Sequence, residues 1–137
     1  DPGAELVKLA HRKNIKVVPL VGPSSILLAL MGSGFNGQNF AFVGYLPKEQ
    51  GARKHRIREL EKLAKNQKQS QLFIETPYRN LQLYEELLAT LHNDTLLNVS
   101  CNITQADQFI RTASVEQWKK DPAPDIHKKP CMFGVYW

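Results

Sequence analysis

Apolar residues follow two different periods along the chain, and each change of period marks the end of a predicted element. Apolar positions at helical spacing predict a helix over 4–13. The mostly apolar run over 15–20 predicts a strand that is covered on both faces of its sheet. A second helix is predicted over 24–31, where Gly32 and Gly34 end it. This order of helix, strand and helix is typical of the end of a doubly wound α/β unit.

A turn-rich break at 35–39 separates this first unit from a longer alternation of strands and helices. We therefore predict two units, residues 1–36 and residues 37–137. The second unit is predicted to run in the order β-α-β-α-β-β-α-β with short connections, which favours an α/β domain with a mixed sheet. Its strands are predicted over 40–45, 71–75, 96–103, 109–112 and 131–137, and its helices over 49–68, 78–92 and 115–119.

The chain is modestly basic, with 18 basic and 13 acidic residues and a formal net charge of +5. Such a balance favours a polyanionic partner such as RNA, and it is also common in ordinary soluble proteins. The excess is concentrated on the predicted helix over 49–68, where Arg53, Lys54 and Arg56 are candidates for phosphate contacts. A solvated helix surface is the more common meaning of such a run, and both interpretations stay open.

Cysteine and histidine usage points away from disulfide and metal chemistry. Cys101 and Cys131 are too few for a disulfide scaffold and match no zinc spacing, so we expect core thiols of a cytoplasmic protein. No histidine pair has metal-ligand spacing, so we expect no metal site.

No apolar run reaches the ~18 residues of a membrane span, so we expect no membrane partner. The chain opens on "DPG" without methionine and is interpreted as a piece of a longer protein.

The junction "GPSS" at 22–25 lies where the first predicted strand hands over to a helix. Serine at such a position commonly caps the helix. Ligands of open α/β sheets also bind beyond the carboxyl ends of strands, near free amides at a helix start. The junction has no glycine-rich nucleotide-binding pattern, so capping and a ligand role both stay open.

The stretch "LFIETPYRN" at 72–80 delivers an acidic residue to the end of a strand, where a proline breaks it. Glu75 and Arg79 are four residues apart and could pair across this turn. The pair is either a structural ion pair, which stabilises little if it is exposed, or the lip of a site.

Taken in order, "DPGAELVKLA", "VVPLVGPSS", "FAFVGYLPKE", "LFIETPYRN" and "KKPCMFGVYW" resemble segments of the tetrapyrrole methylase superfamily. This superfamily comprises the class III S-adenosyl-L-methionine-dependent methyltransferases. The resemblance is to the ribosomal RNA small-subunit methyltransferase I branch, which methylates a ribose 2′-hydroxyl. It implies two α/β domains with the cofactor between them, residues 1–36 ending the first domain and residues 37–137 forming the second.

The resemblance also implies site residues and partners. It implies S-adenosyl-L-methionine as the cofactor, a homodimer and an RNA substrate, for which the basic run supplies Arg53, Lys54 and Arg56 as candidate contacts. Arg79 would be a substrate or structural partner, and Glu75 is the one candidate for a catalytic base. The family's cofactor contacts, carried over by position, are Ile74, Glu75, Thr76, Asn102, Ile103, Pro130, Cys131 and Met132.

This chain departs from the ribosomal RNA branch at Cys101, Asn102 and Gln105, where that branch usually has arginine, glutamate and lysine. The departure leaves two alternatives open. One is a methylase of a corrinoid or porphyrin precursor, which would need no basic helix. The other is a non-catalytic dimerisation or RNA-binding module that kept the fold and lost cofactor affinity.

Overall fold

The computed structural model describes residues 2–137, so the Asp1 of the "DPG" motif lies outside the described residues. The first unit contains two helices, α1 (Pro2–Arg12) and α2 (Ser25–Ser33). The remaining elements are β1 (Phe40–Tyr45), α3 (Gln50–Gln67), β2 (Ser70–Ile74), a 3-10 turn (Pro77–Arg79), α4 (Asn80–Thr90), β3 (Leu96–Cys101), β4 (Phe109–Ser114), α5 (Val115–Lys120) and β5 (Cys131–Tyr136). Their order confirms the predicted β-α-β-α-β-β-α-β alternation.

The five strands form one mixed sheet in the order β1-β2-β5-β3-β4. β1 and β2 are parallel and are joined by α3, as a crossover between parallel strands requires. β5 lies between β2 and β3 and runs antiparallel to both. The predicted mixed sheet is therefore confirmed.

Both faces of the sheet are covered by helices. Adjacent residues of β2 and β5 point to opposite faces, so each strand contributes to both cores. Phe73 and Phe133 pack with the apolar stripes of α3, α4 and α5 in the larger core. Leu72 and Met132 face the other way and pack with α2 and Phe35. Gly34, with φ 75°, takes the left-handed conformation that ends α2, as predicted, whereas Gly32, which was also predicted to end the helix, lies inside it.

The predicted strand over 15–20 is wrong for the described structure. Residues 15–24 form no helix or strand, and Leu20 is 90% exposed. A strand is stable only when a neighbouring strand takes up its backbone hydrogen bonds, and none of the five described strands pairs with this segment. The apolar run is therefore present without the partner that a strand needs.

β3 ends at Cys101, two residues before its predicted end. Asn102 and Thr104 have φ values of 49° and 71°, so the chain turns there through left-handed backbone. A polar asparagine tolerates this conformation, but a β-branched threonine rarely does, which marks the turn as a constrained segment.

None of the described helices is long and apolar enough to cross a membrane.

Candidate functional site

A cleft lies at one end of the three inner strands of the sheet, where β2 and β3 end and β5 begins. Because β5 is antiparallel to both neighbours, Met132 is paired with Ile74 on one side and with Ser100 on the other. The pairing brings the ends of three strands together around a cavity of about 290 Å³. This volume lies near the lower end of the range for small-molecule sites.

Six of the eight residues predicted to contact a cofactor line this cavity: Ile74, Glu75, Ile103, Pro130, Cys131 and Met132. The other two, Thr76 and Asn102, are not in its wall. Thr76 donates its amide hydrogen to the Glu75 carboxylate at 2.6 Å. Asn102 donates its backbone N–H to the Pro130 carbonyl at 3.0 Å, which joins the turn after β3 to the start of β5.

Five further residues line the cavity: Ser25, Tyr45, Pro77, Ser100 and Gln105. Of these, only Ser25 was a candidate from the sequence, as part of the "GPSS" junction. Tyr45 follows Gly44, whose φ of 70° accompanies a change of register between β1 and β2. A glycine inside a predicted strand is a signal for such an irregularity. Ser100 carried no signal, because it lies within the β3 strand itself.

The "GPSS" junction at 22–25 leads directly into α2. Ser24 has the extended backbone of a helix-capping residue, but its side chain makes no capping hydrogen bond. The next residue, Ser25, begins α2 and lies in the wall of the cleft. Side-chain capping therefore does not account for these serines, and the ligand role of the junction stays a prediction.

Glu75 and Arg79 form the ion pair that their spacing suggested, with Nη2 of Arg79 2.9 Å from Oε1 of Glu75. The same Oε1 accepts hydrogen bonds from the amide and the hydroxyl of Thr76. Arg79 also donates from Nε to the Thr76 hydroxyl at 3.1 Å. All three donors meet this one oxygen, and Oε2 of Glu75 accepts no hydrogen bond from the described residues. Since Glu75 is 6% exposed, the pair is buried on one side and open at Arg79.

The segments around the cleft are tied to one another by hydrogen bonds. Asn80 is fully buried, and its amide donates to the carbonyls of Ile126 and Lys129 at 3.0 and 2.7 Å. The backbone N–H of Lys128 donates to the Pro77 carbonyl at 3.0 Å. The turn after β2 and the loop before β5 are therefore held together independently of any ligand.

The wall of the cleft is mostly uncharged. Burial raises the pKa of the Cys131 thiol, and the hydrogen bond with Cys101 raises that pKa further. A thiol of raised pKa stays protonated at neutral pH and is a poor nucleophile. Both cysteines are buried and free, as expected for core thiols. Among the described residues, no group of three or more His, Cys, Asp or Glu side chains could hold a metal ion.

The structure corrects the prediction that Arg53 belongs to a basic RNA-binding surface. Arg53 is 3% exposed, and its guanidinium is paired with the buried carboxylate of Glu86 and donates to the Lys48 carbonyl at 3.0 Å. Lys54 is exposed, and Arg56 is partly neutralised by Glu59 at 3.1 Å. Of the three predicted phosphate contacts, only Lys54 and Arg56 remain at the surface.

The fold is similar to those of two solved methyltransferase structures. The chain matches the crystal structure of the methyltransferase CobJ with a TM-score of 0.54 and 17% identity, over 93% of this chain and 54% of that chain. It matches uroporphyrin-III C-methyl transferase from Thermus thermophilus, complexed with S-adenyl homocysteine, with a TM-score of 0.50 and 15% identity, over 98% of this chain and 58% of that chain. The class of fold is therefore that of the tetrapyrrole methylases.

At the level of sequence, the chain is 31% identical over 111 residues to ribosomal RNA small subunit methyltransferase I from Vibrio cholerae serotype O1. This match covers 81% of the chain and 37% of the relative. In sequence the chain is therefore similar to this ribosomal RNA methyltransferase, and in fold to the tetrapyrrole methylases. It spans about two fifths of the length of the curated relatives that it matches. No protein-family model matches the chain.

Proposed function

We propose that this chain is the C-terminal part of an S-adenosyl-L-methionine-dependent methyltransferase that acts on ribosomal RNA. The observation that carries the proposal is the cleft at the ends of β2 and β3. It is lined by six residues that correspond in position to cofactor contacts of the superfamily.

The residues in the cleft suit an adenosine-bearing cofactor. Ile74, Ile103 and Met132 provide apolar contacts for a flat ring, and Ser100 and Gln105 provide a few polar groups. When it is bound, S-adenosyl-L-methionine supplies an activated methyl group on a positively charged sulfur. The chain's own part is to hold the cofactor in one orientation, so that an acceptor can approach the methyl group in line.

The RNA substrate is supported by the names of the relatives and by the exposed cations of α3. A ribose 2′-hydroxyl is a poor nucleophile and needs a base when it accepts a methyl group. Glu75 is the candidate base in this chain, but its Oε1 is already occupied by Thr76 and Arg79. Through Oε1, Glu75 holds Arg79 at the lip of the cleft, and Oε2, which accepts no hydrogen bond from the described residues, is the oxygen left for a base.

We further propose that the remaining wall of the cleft comes from a domain preceding residue 37, of which residues 1–36 are the end. The exposed apolar side chains of 15–21 support this division, because such a run is unfavourable in water.

We also propose a cytoplasmic homodimer. Two buried free cysteines suit a reducing compartment, and the partly exposed Phe40 and Phe42 on edge strand β1 suit a self-contact.

Methyl transfer by the full-length protein tests the proposed function. Gln105 is exposed on the wall of the cleft, so Gln105→Trp puts bulk into the cleft without disturbing the core. Gln82→Trp makes the same change on the exposed face of α4, outside the cleft. We expect the wild-type protein to transfer a methyl group from labelled S-adenosyl-L-methionine to small-subunit ribosomal RNA. The rate of transfer should be at least about tenfold lower in Gln105→Trp and unchanged in Gln82→Trp.

Absence of transfer to RNA by the wild-type protein would contradict the proposed substrate. A coloured tetrapyrrole retained on purification, and methylated in place of RNA, would identify the corrinoid or porphyrin alternative. Equal rates for the two variants would contradict the assignment of the cleft.

A further inference from the structure

A second cavity lies at the opposite end of the sheet from the cofactor cleft. Its volume is about 400 Å³, and its wall is formed by the last turns of α3 and α4 together with Trp137. β5 begins at the cleft with Cys131 and ends at Tyr136, next to this cavity. At a rise of ~3.3 Å per residue, the two sites are about 20 Å apart. The second cavity is therefore separate from the proposed methyl-transfer site.

The charge at this cavity favours an anion. Arg58, Lys62 and Lys65 occur at positions i, i+4 and i+7 of α3, so they share one face of the helix. All three are exposed, and none has a carboxylate within 4.0 Å among residues 2–137. The buried Glu61 is the one acidic residue in the cavity wall. Its Oε1 already accepts hydrogen bonds from the His92 amide and the Thr95 hydroxyl.

The cavity also contains a flat aromatic surface beside these cations. Trp137 is half-buried, and Nζ of Lys65 lies 3.7 Å from the centroid of its ring. The ring of His92 meets the Trp137 ring edge-on, with centroids 6.5 Å apart. Thr90 adds a buried hydroxyl that has no hydrogen-bond partner among the described residues. An aromatic ring beside unpaired cations is the combination that holds single-stranded nucleic acid.

We propose that this cavity binds one nucleotide of a single-stranded RNA, with its phosphate on Arg58, Lys62 and Lys65 and its base against Trp137. Lys65 leaves the ring for the phosphate, which frees the ring for the base. The inference rests on the proposed function in one respect, namely that the substrate is RNA. Because the cavity is about 20 Å from the cleft, it holds a nucleotide several positions away from the methylated one.

Binding of a fluorescent single-stranded oligoribonucleotide to the full-length protein tests the inference. Trp137→Ala removes the aromatic surface, and we expect the affinity to fall about tenfold, within the range for losing one stacked base. Lys62→Gln with Lys65→Gln removes two charges. We expect weaker binding and a slope of log K against log salt that is flatter by ~0.7 for each lost phosphate contact. The matched control is Lys119→Gln with Lys120→Gln, which removes two exposed charges from α5.

The outcomes separate this inference from the proposed function, because binding of S-adenosylhomocysteine at the cleft is measured on the same samples. Wild-type RNA affinity in Trp137→Ala and in the α3 double variant would overturn the inference and leave the methyltransferase intact. Absence of RNA binding by the wild-type protein would overturn it as well. If RNA does not bind, a mononucleotide that binds the wild-type protein but not Trp137→Ala would identify a free nucleotide as the ligand in place of RNA.

Discussion

At the scale of the residue, Arg53 shows how a basic run can contain one inward-facing member. Arg53, Ile57, Leu60 and Ala64 are spaced by four, three and four residues, and all four are buried. The apolar stripe of α3 was recognisable in the sequence from Ile57 onward. Its extension by one turn places Arg53 on the same face, where Glu86 of α4 supplies the opposite charge.

We predict that Arg53→Ala lowers the free energy of unfolding by about 3–5 kcal/mol, because it leaves the Glu86 carboxylate buried without its partner. Lys54→Ala, one residue further on, is exposed and should change stability by no more than about 0.5 kcal/mol. Urea denaturation of the two variants makes the comparison. Equal stabilities would mean that Arg53 is not part of the core and would return it to the RNA-binding surface.

At the scale of the element, the sequence predicted all five strands of the sheet and the helices α3, α4 and α5. Each of these elements carries its own periodicity and turn residues. β3 was predicted too long, since the left-handed turn at Asn102 and Thr104 has no glycine to signal it. The strand over 15–20 fails for a different reason. Its apolar pattern describes a buried strand, but a pattern cannot say whether a neighbouring strand is available.

The exposed segment over 15–21 leads to a prediction for the full-length protein. If a preceding domain covers this segment, Leu20→Asp buries an unpaired charge and should lower the free energy of unfolding by about 2 kcal/mol or more. Gln82→Asp is the control, because it adds an acidic residue to the exposed face of α4, outside this segment. Denaturation curves that are the same for both variants would contradict burial of Leu20 by another part of the protein.

At the scale of the whole molecule, the two proposed sites lie at opposite ends of β5, the cleft at Cys131 and the second cavity at Trp137. Six of the residues in the cleft could be predicted because the family motifs mark the ends of strands. The second cavity could not be predicted, because its wall joins Lys65 of α3, Thr90 of α4 and Trp137, which are far apart in sequence. The packing of α3 against α4 and the antiparallel course of β5 bring these residues together.

The central claim is that the cleft holds the cofactor, and calorimetric titration of S-adenosylhomocysteine into the full-length protein tests it most directly. We predict micromolar binding by the wild-type protein and by Gln82→Trp, and binding at least about tenfold weaker in Gln105→Trp. The isolated chain of 137 residues should bind much more weakly than the full-length protein. No binding by the full-length protein, or equal binding by the two tryptophan variants, would contradict the account.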